Sequence, residues 1–436
     1  MAPLIGFYGD DLTGSTDTLS VLARAGLRVL MFLDVPDPDE LADADAVGIA
    51  GASRTMTPAE MQVALPPGFA ALAAAGVRVL HYKVCTTFDS SPGIGSIGEA
   101  LGIGRRMFRP DFVPVVVGQP DIGRWCAFGT LFASFGADGS IYRLDRHPAM
   151  SRHPVTPMHE ADLRRVLQAQ GAGPVALVDA AALERDAGVA ALQAALRESA
   201  DAVLFDVVAP AHLAAIGALI GAQVEADARP VFAIGSSGLQ QALLAGWPAA
   251  AARVRPQASA PPVPAGPVLV VAGSRANVTA HQIAAAEAGG FAVLALDPAA
   301  MITGDTSETT VAEAVRHLRQ GRSVIAHTSL GPEDNRALPG AGRADLDALA
   351  AATGRFARDV LARVKLARIG IAGGDTSSGV ARALGVRALS YAWRCSPGVT
   401  VCRVRGGAMD GVEIMLKGGQ MGPPDVFLGL AAAVPG

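Results

Sequence analysis

The residues that first suggest chemistry are two adjacent carboxylates in a glycine turn, Asp10 and Asp11 of GFYGDDLTGSTDTL. They follow a short apolar run and precede a helical pattern. A strand-to-helix turn of this kind ordinarily holds an anion, because its free N–H groups and the helix dipole favour negative charge. A doubled negative charge repels phosphate, so this turn is expected to grip something else. Carboxylates accept hydrogen bonds from hydroxyls. At least one of the pair is expected to bind a ligand or act as a catalytic base; the competing reading is a helix cap with a solvated neighbour. Other strand ends supply the opposite charge: Ser53 with Arg54 after one apolar run, and Lys83 closing VLHYK. Arginine and lysine pair with carboxylates, so a small polyhydroxy acid would use both sets.

The second half holds a different inventory. In IGIAGGDTSSGVARALG, Gly373 and Gly374 precede Asp375 and Thr376, either of which could cap the helix that follows. In VEIMLKGGQMGPPDVF, Lys417 stands directly before Gly418 and Gly419. A lysine joined to a glycine turn offers a point charge and free amides, as a polyphosphate requires. A third strand end, VLVVAGSRANVT, adds Ser274 and Arg275. None is a G-x-x-x-x-G-K-[ST] loop. Three such turns at strand ends in one half point to a nucleotide, because open α/β sheets bind ligands at the carboxyl ends of their strands.

Other candidates are weaker. HPAMSRHPVTPMH spaces His147, His153 and His159 six residues apart, which fits neither a helix face nor the short pairs of zinc sites. It reads as a proline-rich loop that could line a substrate site, with Arg152 and His153 as its best contributors. Ser90 and Ser91 lack a G-x-S-x-G elbow, so no hydrolase is read. Cys85, Cys126, Cys395 and Cys402 show no C-x-x-C spacing and read as ordinary buried thiols.

The elements that must position these groups are short apolar runs alternating with alanine-rich amphipathic stretches, the pattern of β-α-β units. Strands are expected at 4–8, 27–33, 46–50, 77–82, 113–117, 175–178, 202–206 and 230–234, with a first helix at 16–25. After RPQASAPPVPAGP, whose five prolines mark a linker, strands are expected at 268–272, 292–296, 323–327, 368–372 and 412–416. At 436 residues the chain suits two domains, expected at 1–254 and 268–436 around the linker 255–267. The expected fold is α/β, each domain having a largely parallel sheet flanked by helices, with the active-site cleft between them.

A net charge of −4, from 36 Lys plus Arg against 40 Asp plus Glu, offers no general attraction for nucleic acid or anionic membranes. The first residues have no secretory pattern, and apolar tracts such as 211–223 are shorter than a membrane span. The reading is a soluble, cytoplasmic protein with small-molecule partners; assembly into a homo-oligomer is left open.

Taken in order, the GDDLTG opening, Ser53-Arg54, the Lys83 region, HPVTPM, GSRANVT, GGDTSSG and KGGQMG resemble the four-carbon acid sugar kinase family. That resemblance implies an amino-terminal domain binding a sugar acid through Asp10, Asp11, Ser53, Arg54 and Lys83. It implies a carboxyl-terminal domain binding ATP through Ser274, Gly373, Gly374, Asp375, Thr376, Lys417, Gly418 and Gly419. Threonate, erythronate, their 3-oxo forms or a branched relative such as 3-oxo-isoapionate would be phosphorylated. Asp10 or Asp11 would take the hydroxyl proton, and Mg²⁺ would offset phosphate charge through Asp375. One departure stands out: where the family resembles K-K-x-D-S-T-L-R-G, this chain reads KVCTTFDSSPGIGSIG, so the substrate pocket is expected to differ. Two rivals make distinct demands. A dinucleotide-dependent oxidoreductase requires G-x-G-x-x-G at the first strand, where this chain has GDDLTG. A noncatalytic sugar-acid and nucleotide sensor would bind both ligands without releasing ADP.

Overall fold

The computed structural model describes residues 2–434 except 42–43, 137–138, 154, 257–263, 305–307, 335 and 337–341, together with the backbone but not the side chains of Pro38 and Asp375. Most of the expected proline linker therefore lies outside the described residues. The chain divides into two compact units, Met1–Gln257 and Ala258–Gly436.

Unit 1 is built on strands β1 (Ile5–Gly9), β2 (Val29–Phe32), β3 (Ala46–Ala50), β4 (Val79–Lys83) and β5 (Val113–Val116). A separate antiparallel sheet follows, of β6 (Arg124–Ala127), β7 (Thr130–Phe135) and β8 (Ser140–Arg143). The chain then returns to the main sheet with β9 (Val175–Val178), β10 (Ala202–Phe205) and β11 (Val231–Gly235). The strand order is β2-β3-β1-β4-β11-β5-β10-β9, parallel throughout. Every residue of β1, β3, β4 and β11 is buried, as expected of parallel strands covered on both faces. Phe69, on the helix Pro58–Ala74, meets the rings of Tyr8, Tyr82 and Phe232 at 5.6, 6.1 and 5.3 Å, and so locks that helix over the ends of β1 and β4.

Unit 2 contains β12 (Leu269–Ala272), β13 (Ala292–Ala295), β14 (Val324–His327), β15 (Arg368–Ala372), β16 (Ala388–Ser396), β17 (Val399–Arg405) and β18 (Glu413–Lys417). Their order is β13-β14-β12-β15-β18-β17-β16, parallel as far as β18 and antiparallel through β17 to β16. At the amino ends of β15 and β18, Glu413 is buried between Arg368 at 2.7 Å, Arg403 at 3.0 Å and the Trp393 indole N–H at 3.1 Å.

The two units begin with the same topology. In each, the second and third strands lie to one side of the first and the fourth lies to the other. The connections diverge between the first and fourth strands, which opens a crevice at their carboxyl ends. In unit 1 those ends carry Asp10 and Lys83; in unit 2 they carry Gly273 and Gly373. Most expected strands agree with the observed ones to within two residues, but the first helix starts at Leu12 rather than 16, because Asp11 caps it. The antiparallel pairs β6–β8 and β16–β17 were not anticipated, since their alternation of polar and apolar residues is short. Among the described residues no helix is long and apolar enough to cross a membrane.

Candidate functional site

In unit 1, three strand ends are stitched together by the backbone. The Asp10 N–H donates to the Lys83 carbonyl at 2.9 Å, and the Arg54 N–H donates to the Asp10 carbonyl at 3.1 Å. Arg54 then turns its guanidinium back over the acidic pair. Its Nε and Nη2 reach the two oxygens of Asp10 at 3.1 and 2.8 Å, and Nη2 also reaches Asp11 Oδ1 at 2.9 Å.

The carboxylates themselves have different duties. Asp11 is the N-cap of the helix Leu12–Arg24, its Oδ1 accepting from the Gly14 N–H at 2.9 Å and its Oδ2 from the Thr13 hydroxyl at 2.6 Å. Burial alone would raise its pKa, but the charges of Arg54 and Lys83 and these hydrogen bonds outweigh it and hold the carboxyl below its ordinary value. Asp10 is 3 % exposed and makes no cap; burial is its largest influence and pushes its pKa up against the pull of Arg54, with the neighbouring Asp11 charge adding to the rise. Asp10 is therefore the stronger base of the two. An Asp11→Ala variant is expected to lose about 1 kcal/mol of stability, the usual worth of such a cap. Because the folded pKa lies below the ordinary 3.8, this stabilisation is present above about pH 4 and disappears as the pH falls through the folded value, so denaturant unfolding of variant and wild type should converge in acid.

Lys83 is 2 % exposed and lies over the first turn of the same helix: a Cβ added at Gly14 would fall 2.8 Å from its Nζ and 2.4 Å from Asp11 Oδ1. The TG that follows the doublet thus has a purpose, a hydroxyl for the cap and room for the lysine. Ser53 is placed differently from its sequence reading. It is fully buried with its hydroxyl 2.9 Å from that of Tyr82, and it supports the Arg54 turn rather than facing a ligand.

The departing segment after Lys83 folds into a tight network. The Thr87 hydroxyl donates to Asp89 at 2.5 Å and lies 3.0 Å from Cys85 Sγ, while Gln170 donates to Ser90 Oγ at 2.8 Å. Burial, reinforced by the Asp89 charge, raises the Cys85 pKa, so it remains a thiol. Arg124, from β6, falls within the electrostatic reach of Cys85 and Asp89. Its Nη1 donates to the Gly123 carbonyl at 2.9 Å, and its buried Nε has no hydrogen-bond partner among the described residues. Sequence reasoning missed Arg124 because no motif surrounds it.

The proline-rich loop contributes otherwise than expected. No described hydrogen bond or ion pair joins Arg152 or His153 to the Asp10–Arg54–Lys83 group. Arg152 is exposed, and His153 Nδ1 accepts from the Thr156 N–H at 3.0 Å. The histidine within reach of Arg124 and Asp89 is His147, which burial holds below its ordinary pKa and whose Nδ1 accepts from the Ala149 and Met150 N–H groups, both at 3.2 Å.

In unit 2, three glycine turns converge. A Cβ added at Gly273 would fall 2.1 Å from Thr376 Oγ1, and one at Gly419 would fall 2.1 Å from Ser274 Oγ. Gly373 takes φ +124°, and the helix after it, Gly374–Ala383, has no capping side chain. Asp375 and Thr376 thus lie inside the first helical turn rather than at the cap, which corrects the sequence reading. The side chain of Asp375, expected to hold Mg²⁺, lies outside the described residues. The helix Asn277–Ala288, which follows Ser274, likewise starts without a side-chain cap on its N2 or N3 amide. Bare backbone at the ends of β12, β15 and β18, with two uncapped helix starts, has the geometry and partial charge to accept a polyanion. Lys417 does not face it. Its side chain is fully buried, with Nζ donating to Thr279 Oγ1 at 3.2 Å. A cavity of about 520 Å³ adjoins, lined by Ala295, His327, Leu330, Glu333, Asp334 and Arg336. Burial and the Arg336 charge lower the pKa of His327 to about 4, so its ring is neutral at pH 7. Arg275 ties this wall to the β12 turn through the Pro332 carbonyl at 3.0 Å.

Residues 5–243 match the family described as a sugar-binding N-terminal domain, and 269–427 match that described as a nucleotide-binding C-terminal domain. The chain is 42 % identical to a 3-oxo-isoapionate kinase of Paraburkholderia graminis, over 97 % of its own length and 93 % of that protein. The chain belongs to the four-carbon acid sugar kinase family. A second member, the 3-oxo-tetronate kinase of Methylobacterium radiotolerans, is 35 % identical over 98 % of both chains. The same two-domain α/β fold occurs in crystal structures of proteins from Salmonella typhimurium LT2 and Haemophilus influenzae, with TM-scores of 0.77 and 0.74 at 24 % and 22 % identity, each comparison covering 98 % of both chains. Within this family the bare-backbone turns of unit 2 belong to a domain class named for nucleotide binding, and the Asp10–Arg54–Lys83 group to one named for sugar binding.

Proposed function

We propose that this protein transfers the γ-phosphoryl group of ATP to a hydroxyl of a 3-oxo sugar acid, with a branched acid of the 3-oxo-isoapionate type as the preferred acceptor. The observation that carries the proposal is the division of labour at the end of β1. Asp11 is consumed by the helix cap, while Asp10 is buried, raised in pKa and held by one arginine. Each Asp10 oxygen accepts one bond from Arg54 and keeps a lone pair, so the carboxylate can receive the proton of an attacking hydroxyl. Lys83 and the unused Nη1 of Arg54 would bind the acid's carboxylate, and Arg124 would supply a further donor near the altered segment. The preference for a branched acceptor is supported by the remodelled KVCTTFDSS segment and by the higher identity to the 3-oxo-isoapionate kinase.

ATP would lie with its phosphates on the amides of the turns at Ser274, Gly373–Gly374, Thr376 and Gly418–Gly419, and its nucleoside in the adjoining cavity beside His327. The fit rests on the glycines: side chains at Gly273 or Gly419 would fill the cradle. Among the described residues no group of three or more metal-ligating side chains is assembled. That suits Mg²⁺ held largely by phosphate oxygens and water, with one or two carboxylates at most. Bound there, the metal would supply positive charge against that developing on the transferred group.

ADP release coupled to a detectable reaction tests the proposal, run with 3-oxo-isoapionate, 3-oxo-tetronate, threonate and erythronate, with the product position read by phosphorus NMR. The branched 3-oxo acid is expected to show kcat/KM about tenfold or more above the linear acids, a discrimination of about 1.4 kcal/mol. Binding of acid and ATP without ADP release would replace the kinase by a sensor. Equal turnover of branched and linear acids would remove the assigned preference.

A further inference from the structure

The Gly418–Gly419 turn is held from behind by the helix Asn277–Ala288. Thr279 Oγ1 donates to the Gly419 carbonyl at 2.8 Å, and Gln282 Nε2 lies 3.0 and 2.9 Å from the carbonyls of Met421 and Gly422. Lys417 Nζ donates to that same Thr279 oxygen at 3.2 Å. The Gly419 carbonyl can only accept, so the threonine proton points to it and the amine is the donor to Oγ1. The chain of bonds therefore has one direction, Lys417 to Thr279 to the turn.

Both side chains are inaccessible, each 0 % exposed, so neither reaches a ligand in the turn without rearrangement. The Phe427 ring, 5.8 Å from Nζ, closes the other side. No described carboxylate pairs with the amine. The titratable groups of the surrounding elements are His281 and Glu287, exposed on the helix, Asp425, exposed before Phe427, Cys402, Arg403 and Arg405 on β17, and the exposed Arg382 on the helix Gly374–Ala383, whose Asp375 side chain lies outside the described residues. Arg368 and Glu413 sit at the opposite ends of β15 and β18 and are bonded to each other. A buried amine one residue from a polyanion cradle, with no acid among the described side chains to neutralise it, is not needed for packing; a methionine would fill the space without the charge.

We propose that Lys417 is a positioning residue that orients the Gly418–Gly419 turn through Thr279 without touching the ligand, and that a polyphosphate arriving on the turn draws a proton onto it. Burial alone lowers this amine to about 7, so the empty protein holds it largely uncharged at pH 8. A polyanion on the turn's amides favours the charged form. The ammonium then polarises the threonine hydroxyl and, through it, the peptide presented to the phosphates. The inference rests on the nucleotide reading of the turn.

Titration calorimetry at pH 8 in buffers of different ionisation enthalpy separates the two. Wild type is expected to bind ATP with net proton uptake, measured as a buffer-dependent enthalpy. Lys417→Met should bind about tenfold more weakly and lose that uptake. Thr279→Val should weaken binding by a similar factor while the uptake persists, because the amine remains. If both variants bind weakly but take up protons as wild type does, Lys417 is a packing residue and the proposal falls. Unchanged ATP affinity in Lys417→Met would also overturn it. Absence of ATP binding by wild type would overturn the nucleotide reading and this inference with it, whereas the other failures leave that reading standing.

Discussion

Asp10→Asn is expected to lower kcat by about 10²–10⁴-fold, the usual worth of a general base, while ATP affinity changes by less than about twofold. The two carboxyls of the doublet differ in protonation. Asp11 accepts hydrogen bonds from the helix start, the Thr13 hydroxyl and Arg54, and these with the Lys83 charge keep it ionised and a poor proton acceptor. Asp10 is buried at the end of a fully buried strand, and its raised pKa makes it the better acceptor. The asparagine keeps the shape and leaves Asp11 to hold Arg54, so the local fold should survive. The pH dependence provides the control. A base must be ionised, so wild-type kcat/KM should fall with decreasing pH at a midpoint above the ordinary 3.8 of an aspartate, and this limb should vanish from the residual activity of the variant. Full turnover by Asp10→Asn, or loss of ATP affinity instead of turnover, would refute the assignment.

Gly373→Ala should have the largest effect in unit 2, lowering ATP affinity by about 10–100-fold with little change in sugar-acid binding measured separately. Gly373 adopts φ +124°, a backbone region that L residues rarely enter, and an added Cβ would lie 3.2 Å from the Ser274 amide. Holding alanine there costs of order 1–3 kcal/mol. If the turn relaxes instead, the amides of the following helix start no longer converge with Ser274 and Gly419. At 1.4 kcal/mol per tenfold, either route gives the stated loss. Calorimetry with ATP reads the affinity, and circular dichroism confirms that the unit is folded. Wild-type affinity in this variant would show that the phosphates lie elsewhere.

Much of this was legible beforehand. Apolar runs bounded by glycine mark buried parallel strands, because a strand covered on both faces has no polar residues to spare. The chemistry of the turns was equally plain: acids and cations in the first half, glycines in the second. The assignment of duties was not. Asp10 and Asp11 are adjacent and identical, and only the position of the helix start shows that one is a cap. Lys417 looked like a phosphate ligand because it precedes two glycines, yet alternation along β18 turns its side chain into the core. Thr279 closes GSRANVT with no role visible in the sequence, since its partners are the distant Lys417 and Gly419.

By itself the amino-acid sequence determined the order of strands and helices, the chemical character of each strand end and the membership of a kinase family, since these follow from local periodicity and from short motifs. The tertiary structure decided which carboxylate caps the helix, that Arg124 comes within electrostatic reach of Cys85 and Asp89, and that the Lys417 side chain is buried against Thr279 rather than exposed in its turn. Those outcomes depend on contacts such as Arg54 to Asp11 across 43 residues and Lys417 to Thr279 across 138, and burial, charge and hydrogen-bond direction at such contacts exist only once the sheet has brought the strand ends together.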